Sequence, residues 1–258
     1  MKAVVIRLFL IFFLAREIYS QTNYCSSSLC RGKKHIACGN NGAFSSACGS
    51  NVKIMPISRN LRNAIVKKHN QLRNQVAGGS ISGYRAATRM ATVRWNNELA
   101  KLAVLNVKQC VMKHDQCRST NSFKYAGQNL ANSAWYGTTK TVRSLAMQHI
   151  QMWFDEYKDA SMSYINSYSN PTNGKKIGHF TQMVQEKATH LGCGILRQQK
   201  GRFSYQFIAC NYAYTNVLDQ AVYNSGTVAS SCTTGRNKNY KNLCSTAESY
   251  DVNTLSDA

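Results

Sequence analysis

The sequence predicts an α+β fold that is held together by disulfide bonds. Three observations support this prediction: three stretches carry apolar residues at helical spacing, two alternating segments flank a turn, and the chain contains ten cysteines. Hydrophobic residues make up 43% of the 258 positions, which is enough for a sizeable core, so a disordered chain is not expected.

Residues 1–20, MKAVVIRLFLIFFLAREIYS, have the pattern of a secretory signal peptide. Lys2 provides a positive start, an apolar run follows, and a small residue ends the segment. A membrane anchor is the alternative, but Arg7 and Arg16 leave an apolar run too short to span a bilayer. We therefore expect a secreted, extracellular protein from about Gln21 onward, with no membrane span.

An even number of cysteines in an exported chain predicts a framework of up to five disulfides. Structural zinc is the alternative use of these residues, but it is disfavoured because the chain has no Cys-x-x-Cys pair and export favours oxidation. The ten cysteines are Cys25, Cys30, Cys38, Cys48, Cys110, Cys117, Cys193, Cys210, Cys232 and Cys244.

The chain is strongly basic, with a formal net charge of +21 at pH 7. Residues 1–20 carry a net charge of +2, so their removal leaves +19. A field of this sign attracts polyanions such as sulfated glycans, anionic lipid surfaces, nucleic acid and acidic proteins, without selecting among them. The basic residues form short scattered groups that match no nucleic-acid-binding motif, so a specific nucleic-acid partner is not expected.

Composition divides the exported chain into three parts. Residues 21–57 form a cysteine-rich N-terminal arm with little apolar periodicity, which disulfides to the main body must fix in place. The main body covers residues 58–223. Residues 224–258 form a polar C-terminal tail, which we expect a disulfide between Cys232 and Cys244 to clip locally.

The main body begins with a predicted helix. Ser58 is suited to cap its start, Ile65 and Leu72 belong to its apolar stripe, and Gly78 with its following glycine is suited to end it. His69 lies on the same stripe. A packed, hydrogen-bonded core histidine is therefore favoured over a catalytic one.

Residues 95–114 are predicted to form a second helix, with Cys110 on the side where a buried disulfide can form. His114 falls where this helix should end, and a histidine there interacts favourably with the helix dipole. A third helix is predicted for residues 140–159. It places Glu156 on its apolar face, where a carboxylate must pair, accept hydrogen bonds or line a cleft.

A β-hairpin is predicted around residues 191–197 and 202–214, because apolar residues alternate and QQKG supplies a turn. Folding this hairpin brings Cys193 and Cys210 nearly opposite each other, so their disulfide is expected.

Several separated motifs match one family in the correct order. The sequence resembles the antigen 5 branch of the CAP superfamily (cysteine-rich secretory proteins, antigen 5 and pathogenesis-related 1 proteins), over some 200 residues from 23 to about 222. The main motifs are GHFTQMV at 178–184, HLGCG at 190–194 and FIACNYA at 207–213, supported by KKHNQLR at 67–73, WNNELAKLA at 95–103, KHDQC at 113–117, GQNLA at 127–131 and MWFDEYKD at 152–159.

The resemblance implies a three-layer α-β-α sandwich with a central antiparallel sheet, and it identifies residues 58–223 as a CAP (SCP-like) domain. It also implies a disulfide pairing. The implied pairs are Cys25–Cys38, Cys30–Cys117, Cys48–Cys110 and Cys193–Cys210.

In many relatives two histidines and two glutamates face a central cleft. The matching positions here are His114, Gln128, Glu156 and His179. Two neutral imidazoles are suited to bind zinc or copper, with Glu156 as a base or a further ligand. Because Gln128 replaces a glutamate and leaves at most one nearby carboxylate, modest metal affinity is expected.

Two departures from the family pattern concern the surroundings of this cleft. Gln185 stands where a tryptophan is usual, and the segment after FIACNYA lacks the customary Pro-x-Gly. The cleft rim and the exit from the last strand are therefore expected to differ.

The resemblance implies a secreted, non-enzymatic binding protein of the venom- or saliva-allergen type, with an extracellular protein, lipid or polyanion as ligand and no required cofactor. The alternative is a zinc- or copper-dependent hydrolase or redox protein that uses His114, Glu156 and His179. It is disfavoured because no serine lies in a nucleophile elbow and the second carboxylate is missing. Binding through an Arg-Gly-Asp motif is also disfavoured, because the nearest segment, at 31–33, has lysine in place of aspartate.

Overall fold

A five-stranded sheet lies at the centre of the computed structural model, which describes residues 21–255. The predicted signal peptide lies outside the described residues. The strands are β1 (Ser50–Ile54), β2 (Arg94–Trp95), β3 (Gly127–Trp135), β4 (His190–Lys200) and β5 (Phe203–Tyr212). The helices are α1 (Arg59–Ala77), α2 (Asn97–Val107), α3 (Val142–Asp155), α4 (Met162–Asn166) and α5 (Gly178–Val184), with a 3₁₀ turn at Glu156–Lys158.

The strand order is β1-β4-β5-β3, and these four strands are antiparallel. The short β2 lies parallel to the start of β4. Helix α2 packs on one face of the sheet, whereas α1, α3 and α5 form a layer on the other. The expected three-layer α-β-α sandwich is thus confirmed. None of the helices in the described part of the chain has the length and apolarity needed to cross a bilayer.

Two glycines of β4 allow α2 to approach the sheet closely. A Cβ atom at Gly192 would lie 2.3 Å from the backbone nitrogen of Ala100, and one at Gly194 would lie 2.5 Å from that of Val104. The intervening Cys193 faces the opposite layer and is bonded to its register partner Cys210. The HLGCG motif therefore combines a close helix contact on one face with a disulfide that joins two strands.

Helix α1 has the boundaries that the sequence predicts. The Ser58 side chain accepts a hydrogen bond from the backbone N–H of Leu61, and the helix ends at Gly78. His69 is fully buried, with ring nitrogens 2.9 Å from the Ile65 carbonyl and 2.9 Å from the Tyr212 hydroxyl. These contacts confirm a packed core histidine.

The second helix is shorter than the predicted 95–114. It starts after Asn96, whose side chain accepts from the N–H of Leu99, while the preceding residue belongs to β2. It ends because the chain turns away within three residues, where Cys110 adopts a left-handed backbone with φ of 55°. Cys110 is still buried, as expected. The interpretation of His114 as a helix-terminal residue is wrong, since it lies in the following loop.

The third helix is slightly shorter than the predicted 140–159. Thr141 caps the N-terminus of α3, whose regular turns stop at Asp155. Glu156 opens the 3₁₀ turn that follows, and its side chain is 14% exposed. A partly buried carboxylate at this position was expected, and its hydrogen-bond partners lie in the cleft described below.

Three strands, β1, the two-residue β2 and β3, were not predicted. Strand β1, within the cysteine-rich arm, lies at an edge of the sheet and pairs with β4. Strand β3 pairs with β5 along its whole length. The first five residues of β3 are all buried, so the sequence lacks the alternation by which a half-exposed strand is detected.

The C-terminal tail packs against the main body. Cys244 is bonded to Cys232, and the neighbouring Leu243 is fully buried in the main core. Farther along, the Glu248 carboxylate lies 2.7 Å from the guanidinium of Arg89. The tail is therefore held by apolar burial and an ion pair as well as by its own disulfide.

All ten cysteines lie in the described part of the chain, and they form five disulfides. The pairs are Cys25–Cys38, Cys30–Cys117, Cys48–Cys110, Cys193–Cys210 and Cys232–Cys244. Two of them, Cys30–Cys117 and Cys48–Cys110, tie the arm to the loop between α2 and β3.

Alkylation of the denatured, unreduced protein is expected to label almost no thiol, because every cysteine has a bonded partner. Labelling after reduction, followed by mass spectrometry, provides the comparison. One or more reactive thiols before reduction would contradict the five pairs.

Candidate functional site

A cleft of about 530 Å³ opens where β3 begins and β5 ends. His114, Gln128 and His179 all line it, whereas Glu156 lies behind His179. The structure thus brings the four implied residues together. The other lining residues are Arg118, Asn129, Tyr168, Asn170, Pro171, Lys175, Lys176, Ile177, Gly178, Gln182, Thr215 and Asn216.

His179, the second residue of α5, is held by α3. Its Nδ1 atom lies 2.6 Å from Oε1 of Glu156, and its backbone N–H donates to Oε2 over 2.8 Å. Its ring stacks on the indole of Trp153, with the ring centroids 6.2 Å apart. Since Glu156 also accepts the N–H of Phe180, both carboxylate oxygens serve to position the start of α5.

His114 projects from the loop between α2 and β3. Its Nδ1 lies 2.8 Å from Oε1 of Gln128. The Gln128 amide nitrogen in turn donates to Oδ2 of Asp115 over 2.7 Å and to Oδ1 of Asn211 over 2.9 Å. These two acceptors fix the orientation of the amide, so the Gln128 oxygen accepts the proton on Nδ1 of His114. Nε2 of the neutral ring therefore keeps its lone pair.

A second carboxylate lies near the site, and the expectation of at most one is wrong. Asp115, adjacent to His114 in the chain, accepts hydrogen bonds from Gln128 and from the side chain of Asn106. Its other oxygen lies 2.6 Å from Nε of Arg118. Asp115 therefore supplies, behind Gln128, the negative charge that a glutamate at position 128 would carry. Arg118 balances this charge.

Three basic residues line the cleft wall. They are Arg118, Lys175 and Lys176, and no Asp or Glu is among the described lining residues. Arg118 is paired with Asp115 and Lys175 with Asp159, so Lys176 provides the uncompensated positive charge. Loss of surrounding water lowers the pKa of His114, and this effect outweighs the hydrogen bond to Gln128, which raises it; the positive charge of Arg118 lowers it further. His114 is therefore neutral at neutral pH, which leaves it available as an acceptor or ligand.

The two imidazoles fit a divalent metal ion. Each uses Nδ1 for a protein acceptor, Gln128 for His114 and Glu156 for His179, and each leaves Nε2 for the cleft. Metal-binding histidines typically donate their second ring N–H in this way, because the bond fixes the tautomer and the ring plane. Glu156 does not fit as a further ligand, since both of its oxygens are already engaged.

A different group, Cys30, His35 and Cys117, also places its potential ligand atoms within 4.8 Å of one another. It does not fit a metal ion, because the two sulfur atoms are bonded to each other. The His35 ring is likewise engaged, with Nε2 at 2.9 Å from the Ser119 carbonyl and Nδ1 accepting the N–H of Ala37.

Gln185 does not form part of the cleft rim, in contrast to the expectation. It is 3% exposed, and its side-chain oxygen accepts the N–H of Lys187 within the turn that follows α5. Gln182 also lines the cleft and was not predicted, although it lies one helical turn after His179. Its amide donates to the Tyr214 carbonyl, and a Cβ atom at Gly127 would lie 2.0 Å from its oxygen, so a larger residue at 127 would displace the Gln182 amide.

Comparison with known proteins gives a consistent result. Residues 66–212 match the model of the cysteine-rich secretory protein family, CAP. Venom allergen-1 of Aedes aegypti is 42% identical over 226 residues, which are 88% of each chain. The antigen 5 like allergen Cul n 1 of Culicoides nubeculosus is 41% identical over 76% of this chain and 92% of that protein. The crystal structure of NaASP2 with Zn²⁺ is similar with a TM-score of 0.61 and 28% identity, over 73% of this chain and 96% of that one.

Proposed function

Because the chain belongs to the cysteine-rich secretory protein (CAP) family, we propose that it is a secreted, allergen-type protein that binds extracellular ligands and catalyses no reaction. Within this function, the cleft takes up zinc or copper through Nε2 of His114 and Nε2 of His179. The identity with venom allergens over most of the chain supports the general role, and the histidine geometry supports the metal.

The observation that carries the proposal is the arrangement of the two ring tautomers. Gln128 and Glu156 accept hydrogen bonds from the Nδ1 atoms, so the Nε2 atoms of both rings are left for the same cleft. Zinc commonly takes four ligands, and the protein supplies two. The remaining positions are left to water or to an anionic group of a ligand, which Lys176 in the cleft wall also attracts.

The surroundings of the cleft support binding over catalysis. A hydrolase needs a base within reach of the substrate, yet Glu156 and Asp115 are both held in hydrogen bonds behind the histidines. The Tyr168 hydroxyl lines the cleft, but burial raises its pKa, so it stays protonated. A metal ion supplies Lewis acidity when bound, but these residues provide no matching free base.

Zinc titration is expected to show modest affinity that falls about tenfold or more between pH 7.5 and pH 5.5, because protons compete for imidazoles with an ordinary pKa of about 6.5. Replacement of both His114 and His179 by alanine should abolish this binding. The measurement is calorimetry on the parent and the double variant, with His190→Gln as a control histidine outside the cleft.

Two outcomes would contradict the proposal. Equal zinc binding by the parent and the double variant would exclude the cleft as the metal site. Turnover of ester, peptide or superoxide substrates by the zinc- or copper-loaded parent, lost in the double variant, would establish catalysis and overturn the binding role.

A further inference from the structure

The end of the sheet opposite the cleft carries a concentrated positive charge. Gln128 and Trp135 are separated by seven positions on β3, which places the two ends about 24 Å apart. The segments 50–56, 132–144 and 196–206 meet at this far end. They hold six Lys or Arg residues and no Asp or Glu. We call this surface the basic sheet end; its cations are Lys53, Lys140, Arg143, Arg197, Lys200 and Arg202.

A groove of about 470 Å³ crosses this surface. It receives residues from all four antiparallel strands, since Lys53 of β1 lies opposite Arg197 of β4, and Ser204 of β5 lies opposite Trp135 of β3. The groove therefore runs across the strands. Its shape suits a linear chain better than a compact ligand.

Aromatic rings hold two of the arginines in place. The guanidinium carbon of Arg197 lies 5.1 Å from the ring centroid of Trp135. Its Nε donates to Gln206 and one terminal nitrogen donates to the Lys140 carbonyl, which leaves the other terminal nitrogen for a ligand. Stacking of this kind restrains a guanidinium while keeping donors at its edge.

Arg202 is placed in the same way at the tip of the hairpin. Its guanidinium carbon lies 5.1 Å from the ring of Tyr136 and 5.5 Å from that of Phe203. These rings are exposed, Tyr136 by 61% and Phe203 by 39%. Within the described residues, Arg202 has no ion-pair or hydrogen-bond partner, so all its donors face solvent. The hairpin tip thus carries a positive charge that the two aromatic rings hold in place and that no described carboxylate neutralises.

We propose that the basic sheet end binds a sulfated polysaccharide chain. Lys53 and Arg197 line the groove, and the other cations of the basic sheet end lie on the neighbouring segments, so together they complement the sulfates of such a chain. Guanidinium forks pair well with oxyanions of this kind. The polar side chains of Asn51, Gln199 and Ser204 are suited to bind sugar hydroxyls between the sulfates. This inference goes beyond the function proposed for the cleft and does not depend on a metal.

The surface is less suited to an anionic membrane. Insertion into a bilayer interface requires projecting apolar groups, whereas the groove is lined mainly by polar and charged side chains, and the exposed rings at the hairpin tip carry the Arg202 guanidinium on their faces. The extended charge pattern and the polar floor favour a hydrated, linear polyanion.

A charge-matched pair of variants tests the proposal. The first replaces Lys53, Lys200 and Arg202 by glutamine; the second replaces the exposed Lys67, Lys101 and Lys238 by glutamine. Both lose three positive charges at exposed positions. Binding of a heparin oligosaccharide of defined length, at about 0.15 M salt, should weaken about tenfold or more in the first variant and about twofold in the second.

The same variants distinguish the possible ligands. Equal losses in both variants would show that net charge alone governs heparin binding and would overturn the proposal. Selective loss of binding to phosphatidylserine vesicles or to a single-stranded oligonucleotide, with heparin binding unchanged, would overturn it in favour of that ligand. Retained heparin binding by the His114→Ala, His179→Ala variant would support a site separate from the cleft, whatever becomes of the metal.

Discussion

The Arg73→Met variant is expected to unfold with a free energy lower by about 3 kcal/mol or more. Arg73 is fully buried, yet it has no carboxylate partner within ion-pair distance among the described residues. Its guanidinium instead donates to three backbone carbonyls, those of Ala91, Met183 and Gln185, over distances of 2.7 to 3.0 Å. Burial lowers its pKa to about 10, so it remains charged at neutral pH.

The expected loss of stability comes from the three backbone carbonyls that stay buried after Arg73 is replaced. Methionine fills part of the volume but cannot donate a hydrogen bond, so three buried carbonyls lose their partner, and each unsatisfied group costs about 1–3 kcal/mol. Two of these carbonyls lie at the C-terminal end of α5, where the helix dipole favours a cation. Because His179 lies at the other end of α5, the same contacts help to position the cleft.

Denaturant unfolding with the disulfides intact measures the effect, with the exposed Lys67→Met on the same helix as the control, for which a change within about 0.5 kcal/mol is expected. Hydrogen exchange should also become faster in α5 of the Arg73→Met variant. A stability loss below about 1 kcal/mol would show that water or a shifted side chain satisfies the carbonyls.

The parts of the fold that could be predicted from sequence are those with local signals. Helix α1 has a capping serine, a regular apolar stripe and a terminal glycine, and the β4–β5 hairpin has alternation around a turn. The end of α2 could not be predicted, because the apolar and polar pattern continues past the point where Cys110 adopts its left-handed backbone. Strand β3 was missed because its buried half shows no period of two.

The candidate site depended almost wholly on family resemblance. The four cleft positions come from three loops or helix ends and one strand, which no local pattern connects. The role of Asp115 required the sheet register, which places Asn211 directly opposite Gln128 and so fixes the direction of the amide. The contact between Asp115 and Gln128 could therefore be assigned only from the pairing of β3 with β5.

Acidification from pH 7 to pH 4 is expected to destabilise the protein strongly, by about 3 kcal/mol from His69 alone. Burial lowers the pKa of His69 to about 4, from an ordinary value of 6.5. Its Nδ1 proton is donated to the Ile65 carbonyl and its Nε2 accepts from the Tyr212 hydroxyl, so the neutral ring is fully satisfied. A second proton would place an unpaired charge in the core.

Other histidines act in the same direction, with the largest shifts at His149 and His190. Burial lowers the pKa of His149 to about 4 and, together with the charge of Arg94, that of His190 to about 4. Nε2 of His149 lies 2.7 Å from the Ser133 hydroxyl, but its buried Nδ1 has no partner, so protonation finds no acceptor there. Glu186 opposes this trend, because burial raises its pKa and acid then favours its folded form.

The folded and unfolded states bind different numbers of protons, and this difference sets the direction in which stability changes with pH. Between pH 6.5 and pH 4 the unfolded chain protonates these histidines while the folded protein does not, so protons favour unfolding. The stability is present above pH 6.5 and is lost as the pH falls towards 4. Below that range the folded histidines protonate as well, and their contribution to the slope ends.

Urea unfolding at closely spaced pH values, with the disulfides intact, measures this slope on the parent and on His69→Gln. The variant is expected to be less stable at pH 7, because glutamine replaces only one of the two hydrogen bonds. Its stability should nevertheless fall less steeply between pH 6.5 and pH 4, by up to about 1.4 kcal/mol per pH unit, which corresponds to one proton. Parallel curves for parent and variant would mean that His69 takes up its proton in the folded state, and the buried neutral ring assigned to it here would be wrong.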